Sequence, residues 1–144
     1  MTPTELHTLV RRWWEEMRDT ARAATPGPWA ATARDQFVVT VDQADGDHQI
    51  AEVVRCMEHP RQEEVDGRHI AAFNPSFAIA VCEAALERLD RHAPDNSQGW
   101  SDCLTCIEHH GYETYDSRVW PCLEFLADAA PFRTRPDFPE ELNR

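Results

Sequence analysis

Residues 74–89 read NPSFAIAVCEAALERL and carry the clearest helix signal of the chain. Asn74 is a favourable N-cap residue, and Pro75 suits the first helical position because the N–H that proline lacks has no partner there. Apolar side chains then recur at helical spacing: Ile79, Cys82, Leu86 and Leu89, flanked by Phe77, Val81 and Ala84. This spacing predicts a long amphipathic helix that lies across a sheet.

A second helix is predicted at the N-terminus. Thr2 and Glu5 form a capping-box pair around Pro3, and the helix runs to about Ala24. Its apolar face is expected to contain Leu6, Leu9, Val10, Trp13 and Met17. Because neighbours on a helix point about 100° apart, one of Trp13 and Trp14 can face solvent and contact a partner, although core packing is the default for both.

Between these helices the sequence predicts a small antiparallel sheet. Candidate strands are Trp29–Ala33, the β-branched run Phe37–Val41, and Ile50–Cys56, with a turn signal at Asp45-Gly46. Residues 58–67 are polar and predict a loop, and residues 69–73 predict a short helical lead-in to the long helix.

The fold class that follows is α+β: about three antiparallel strands packed by an N-terminal helix and a long central helix. A single domain is expected over residues 1–130, with a zinc-bound segment at residues 100–125. A short last helix is expected to open at Pro121 and run to about Ala130. Residues 131–144 contain three prolines and predict an extended tail.

The charge of the chain limits its partners. It has 144 residues, 26 acidic and 14 basic ones, a net charge of −12 and no lysine. Such a surface repels nucleic acid and anionic lipid, so direct nucleic-acid binding is not expected. No apolar run reaches the length of a membrane span, and the N-terminus lacks signal-peptide features. We therefore expect a cytoplasmic protein, in which cysteines stay reduced.

The cysteines near the C-terminus are the one pattern with clear chemical content. Cys103 and Cys106 form a CxxC pair, His109 and His110 follow, and Cys122 lies further on. Zinc takes four thiolate or imidazole ligands in a tetrahedron, and a CxxC pair can turn both sulfurs toward one ion. The sequence predicts one zinc per chain, bound by Cys103, Cys106, His110 and Cys122. His109 and the upstream His92 compete with His110 for the fourth place.

Other interpretations of the same residues are weaker. A redox dithiol is expected to open a helix in a thioredoxin-like setting, whereas Cys103 follows a loop. Cys56 and Cys82 fall on apolar faces and predict core positions. Asp42, Asp45 and Asp47 do not continue into a calcium-binding loop and suit a solvated turn. His69 is expected to be a structural histidine, and the chain contains no phosphate-binding loop or hydrolase motif.

Three blocks of the sequence together resemble a family of small proteins common in actinobacteria and their phages. Residues 21–29 contain Ala-Ala-Thr-Pro-Gly-Pro-Trp, residues 69–75 read His-Ile-Ala-Ala-Phe-Asn-Pro, and residues 120–123 read Trp-Pro-Cys-Leu with Asp137-Phe138 downstream. The first two blocks are also similar to Ead-like accessory proteins of lambdoid phages. The family's closing block usually reads Tyr-Pro-Cys and then Thr-Leu-Arg, from which Leu123-Glu124-Phe125 departs. The resemblance implies accessory cargo of phages and prophages.

These observations favour a non-catalytic, zinc-stabilised module that binds a host or phage protein. A second hypothesis is sequestration of a small nucleotide-like defence signal, with Arg55, Arg61 and Arg68 and the tryptophans as contacts. A third is an acidic mimic of DNA that inhibits a nucleic-acid enzyme. An enzyme ranks below these three.

Overall fold

The computed structural model of the protein describes residues 1–33, 37–43, 46–53, 62–95, 102–103, 105–106 and 120–143. Within these ranges the helices are α1 (Pro3–Ala23), α2 (Gln62–Ala72), α3 (Pro75–Arg91) and α4 (Leu123–Ala129). The strands are β1 (Trp29–Ala33), β2 (Phe37–Gln43), β3 (Gly46–Val53), β4 (Pro94–Asp95) and β5 (Asp102–Cys103). The predicted fold class is confirmed: the described part is mostly helical, with a small antiparallel sheet and a C-terminal cluster of histidine and cysteine.

The chain divides into two compact units. One consists of Met1–Glu16 with Cys82–Arg144, and the other of Met17–Val81. Helices α1 and α3 each contribute one end to each unit. The single domain expected over residues 1–130 stays a prediction.

Helix α1 begins with the predicted capping box. The Glu5 N–H donates to Thr2 Oγ1 at 3.2 Å, and the Thr2 N–H donates to Glu5 Oε2 at 2.7 Å. The buried residues of α1 are Leu6, Val10, Trp13 and Trp14. Core packing, the default expectation for both tryptophans, is therefore confirmed, and the alternative that one of them faces solvent is excluded. The predicted burial of Met17 is wrong, since this side chain is 44% exposed.

The first unit has a helical core. Its buried apolar side chains come from α1, from α3 beginning at Cys82, and from the C-terminal region. They are Leu6, Val10, Trp13, Trp14, Cys82, Ala85, Leu86, Leu89, Cys103, Cys106, Trp120, Cys122, Phe125, Ala129, Phe132 and Leu142. The predicted stripe on α3 is correct for Cys82, Leu86 and Leu89, whereas the flanking Phe77 and Val81 are exposed. The carboxylate of Asp128 is also buried here, and Arg88 Nη2 donates to its Oδ1 at 2.6 Å.

The C-terminal residues belong to this core, so the predicted extended tail at residues 131–144 is wrong. Short 3-10 turns form at Ala130–Phe132 and Glu140–Leu142, and Leu142 is 1% exposed. Phe132 and Phe138 pack on the Trp13 ring at centroid distances of 5.2 and 6.0 Å. Prolines prevent a long helix here but allow such turns, and the aromatic side chains among them supply the burial that fixes the segment.

The second unit holds the sheet, with strand order β1-β2-β3 and antiparallel pairing throughout. Trp29 pairs with Val41 and Phe37 with Val53, and the register shifts between Val39 and Thr40. The helix packed on this sheet is α2. Its residues 62–67 were predicted to be a loop because they are polar, so packing on the sheet overrides a weak local signal. Cys56 lies outside the described residues.

Helices α2 and α3 meet at a turn that Asn74 caps as predicted. The Phe77 N–H donates to Asn74 Oδ1 at 3.2 Å, and Asn74 Nδ2 donates to the Ala71 carbonyl.

Among the described residues, no single helix is both long and apolar enough to span a membrane. Glu64–Ala72 and Pro75–Arg91 reach that length and apolar composition only when they are taken together, and the pair is bent by 52°.

Candidate metal centre

The end of α3 and the small sheet β4–β5 bring His92 and Cys103 together. Helix α3 ends at Arg91, and His92 follows it directly, with its N–H still donating to the Arg88 carbonyl at 2.9 Å. Pro94 then pairs with Cys103 in the antiparallel ladder between β4 and β5. Residues that pair across an antiparallel ladder lie about 5 Å apart, so the ladder returns Cys103 to a place beside His92.

The other two cysteines approach from the following segments. Cys106 comes three residues after Cys103, and Thr105 and Cys106 are helical. Cys122 is the N-cap of α4, with φ −73° and ψ 165°. The sequence predicted that Pro121 opens this helix with Cys122 inside its first turn, whereas the helix begins at Leu123. The extended backbone of Cys122 and the start of α4 place its side chain in the cluster.

The four side chains form a compact group. His92 Nδ1 lies 3.3 Å from Cys103 Sγ and 3.5 Å from the Sγ atoms of both Cys106 and Cys122. All four atoms lie within 4.8 Å of one another. In a tetrahedral zinc site, bonds of about 2.3 Å to sulfur and about 2.0–2.1 Å to nitrogen separate N from S by about 3.5 Å. The observed N–S distances therefore match a Cys3His site, and the group could hold a metal ion.

The cysteines of this group are buried: Cys103 is 0%, Cys106 7% and Cys122 1% exposed. The Cys122 thiol donates a hydrogen bond to the sulfur of Cys103, which lowers the pKa of Cys103, and the backbone N–H of Cys106 lowers it further. The same hydrogen bond, followed by burial, raises the pKa of Cys122 well above its ordinary value. Burial raises the pKa of Cys106.

Without a cation, ionisation of all three thiols together is electrostatically unfavourable. Three thiolates at such short distances repel one another, and burial removes the water that would stabilise their charge. A divalent cation at the centre supplies the missing positive charge and allows all three thiols to lose their protons. The donor set is therefore suited to a cation and poorly suited to three free thiolates.

Neighbouring groups hold the cluster in place through the end of α3. Trp120 Nε1 donates to the His92 carbonyl at 3.1 Å, and the Thr105 hydroxyl donates to the Arg91 carbonyl. The Trp120 ring is 4% exposed and packs on Phe125, with centroids 4.5 Å apart. Carbonyls at a helix end lack partners within the helix, so these two donors fix the backbone that carries His92.

The structure therefore brings the three predicted cysteines together with His92, which the sequence kept as a competitor for the fourth place. His109 and His110 lie outside the described residues. The sequence favoured His110, since a zinc motif of this kind is completed by a histidine a few residues after the CxxC pair. The sequence signal for His92 is its position directly after a long helix and two residues before Pro94, which starts a strand. Sequence spacing alone does not rank this signal above the nearby His109 and His110.

Two other candidate contact residues lie in different environments. Trp14 is 4% exposed, and its Nε1 donates to the Asp128 carbonyl at 2.9 Å, so it is a core residue. His69 is exposed on α2, and its ring lies 4.6 Å from the Phe73 ring. Of the arginines considered for nucleotide binding, Arg55 and Arg61 lie outside the described residues, while Arg68 pairs with Glu64 at 2.5 Å.

Comparison with known proteins identifies the family but no function. Residues 4–143 match the family described as "Family of unknown function (DUF6221)". The match covers nearly the whole chain, so the protein belongs to this family. No curated protein and no solved structure is significantly similar to the chain.

Proposed function

We propose that this DUF6221 protein is a zinc-stabilised binding module without catalytic turnover, which acts on a host or viral partner in the bacterial cytoplasm as a phage or prophage accessory protein. The observation that carries the first part is the group of His92, Cys103, Cys106 and Cys122. Four ligands complete a tetrahedron, whereas catalytic zinc sites keep one position for water or substrate.

Zinc is the proposed ion because of the donor chemistry. Three thiolates and one imidazole are soft or borderline ligands, which suit zinc and exclude magnesium and calcium. The ion would connect the end of α3, the ladder at β5 and the start of α4, three segments that are distant in sequence. Structural zinc contributes directly to folding, so its role here is to fix the C-terminal part of the first unit.

The fourth ligand is tested by comparing two histidine variants. His92→Ala should weaken zinc binding by about a hundred-fold or more, since four ligands share an apparent binding free energy of about 10–16 kcal/mol. His110→Ala should bind zinc as the unaltered chain does, and His69→Ala is the control for loss of an exposed imidazole. Competition with a chromophoric chelator measures all three. The opposite ranking of His92→Ala and His110→Ala would assign the fourth place to His110.

The binding role rests on two further supports. The completed coordination sphere gives the metal no site for a substrate, and the three sequence blocks resemble phage and prophage cargo. The acidic surface, with a net charge of −12, favours a protein partner with a basic surface over nucleic acid.

A capture experiment from host lysate tests this role, with mass spectrometry of both the proteins and the small molecules retained. The expected result is one protein partner retained in a ratio near one to one. A co-purified nucleotide in place of a protein would favour the sequestration hypothesis, and a nucleic-acid enzyme released by added DNA would favour the DNA mimic. Many turnovers of a purified substrate at trace protein would contradict a binding module of any kind.

A further inference from the structure

An exposed apolar ridge runs along the turn between α2 and α3. Its members are His69, Phe73, Phe77 and Val81, which follow one another at intervals of four residues. Phe73 is 55%, Phe77 46% and Val81 39% exposed, although all three are large apolar side chains. We call this the elbow ridge. All of it lies within the second unit.

The elbow ridge is continuous because its rings contact one another. The His69 and Phe73 rings lie 4.6 Å apart, and the Phe73 and Phe77 rings meet edge to face at 5.2 Å. Val81 follows Phe77 by one helical turn on the same face of α3. Single exposed apolar residues are common on protein surfaces, whereas a contiguous row of them marks an interaction surface.

A row of small residues lies beside this ridge. Ser76 and Ala80 precede Phe77 and Val81 by one position on α3, and both are exposed. Rows of residues four apart form the ridges of a helix, so a row of small side chains beside a row of large ones leaves a shallow groove next to a ridge. The face therefore carries both halves of a ridge-and-groove contact.

The segment that carries Phe73, Phe77 and Val81 is also uncharged. Residues 70–82 contain no acidic or basic side chain, in a chain whose net charge is −12. Another acidic molecule can approach an uncharged face without bringing like charges into contact, and a basic partner gains nothing there. The surface that fits this face is therefore apolar and uncharged as well.

We propose that the elbow ridge binds a second copy of this chain. A two-fold axis that lies between the two copies, roughly parallel to α3, places the ridge of each copy over the row of small residues of the other. The contact is therefore self-complementary. A second copy is also the one molecule certain to carry a matching uncharged apolar face. The inference is independent of the metal site and of the partner proposed above.

Sedimentation velocity over a concentration series tests the proposal with the zinc-loaded full chain. The unaltered protein should pass from monomer to a species of twice the 16.5 kDa chain mass. Phe77→Glu places a carboxylate in each half of the contact and should weaken association by about a hundred-fold or more. Phe77→Ala should weaken it less, and it decides the question if Phe77→Glu does not fold. Met17→Glu, which adds the same charge at a side chain of 44% exposure on α1, is the matched control.

Salt provides a second readout. Because both copies are acidic and the contact is uncharged, added salt should strengthen the dimer by screening repulsion. A protein that stays monomeric at all concentrations, or a dimer that persists in the Phe77 variants, would overturn the proposal. So would a dimer that weakens with salt, since it would rest on ion pairs. A monomer that floats with phosphatidylcholine vesicles, and loses this in Phe77→Glu, would assign the face to a lipid surface.

Discussion

Replacing Leu86 by alanine tests the helical core of the first unit. Leu86 is 5% exposed and lies in the core cluster. The substitution removes three carbon groups at about 0.8 kcal/mol each and leaves a cavity, so it should cost about 2–4 kcal/mol of the free energy of unfolding. For a chain of this size that corresponds to a fall in Tm of about 6–14 °C.

The assay is urea unfolding of the zinc-loaded protein, followed by far-ultraviolet circular dichroism. Val81→Ala is the matched control, since it truncates an aliphatic side chain on the same helix that is 39% exposed. At protein concentrations low enough to keep the chain monomeric, it should change stability by about 0.5 kcal/mol or less. A loss under about 1 kcal/mol for Leu86→Ala would show that this face of α3 is not buried, and the description of the core would then be wrong.

Three further perturbations test other parts of the structure. Cys106→Ser should abolish tight zinc binding and increase hydrogen exchange of residues 120–129, while exchange in β1–β3 stays unchanged; retained zinc would contradict the proposed ligand set. Asp128→Asn removes the charge that Arg88 contacts and should cost about 1–3 kcal/mol in urea unfolding, and no loss would mean that the pair is unimportant. Hydrogen bonds from Thr2 lower the pKa of Glu5 from 4.5, so the stability that this cap gives to α1 should be present above pH 4.5 and be lost as the pH falls through the lowered value. Acid unfolding of Glu5→Gln, which has no carboxyl group to titrate at this cap, should lack this component, and an unchanged profile would refute it.

Local patterns in the sequence were sufficient to predict much of the fold. The side chains of Thr2 and Asn74 each cap a backbone N–H only three residues further on, so both caps could be predicted correctly. Helical spacing identified the centre of the buried stripe on α1 but not its edges: Trp14 is buried and Met17 is exposed. The edge of a stripe depends on what packs against it, and residues 120–143 supply that packing from far along the chain.

In the candidate metal site, too, local patterns predicted some residues, whereas tertiary contacts determine the place of others. The CxxC pair is a local signal, and one more cysteine nearby was enough to predict the three cysteines of the cluster. The place of His92 beside the cysteines depends on the pairing of Pro94 with Cys103. This pairing joins the CxxC motif to a residue outside it, so the motif alone does not predict it. The burial of Phe132 and Leu142 was likewise not predicted, because the prolines around these residues made the segment resemble an extended tail.

X-ray absorption at the zinc edge, on protein purified without chelator, is the most direct measurement of the central claim. A Cys3His site predicts one zinc per chain with three sulfur neighbours at about 2.3 Å and one nitrogen at about 2.0–2.1 Å. In His92→Ala protein the nitrogen contribution should be lost or replaced by oxygen from water. Protein that contains no zinc, or zinc surrounded only by oxygen and nitrogen, would contradict the account.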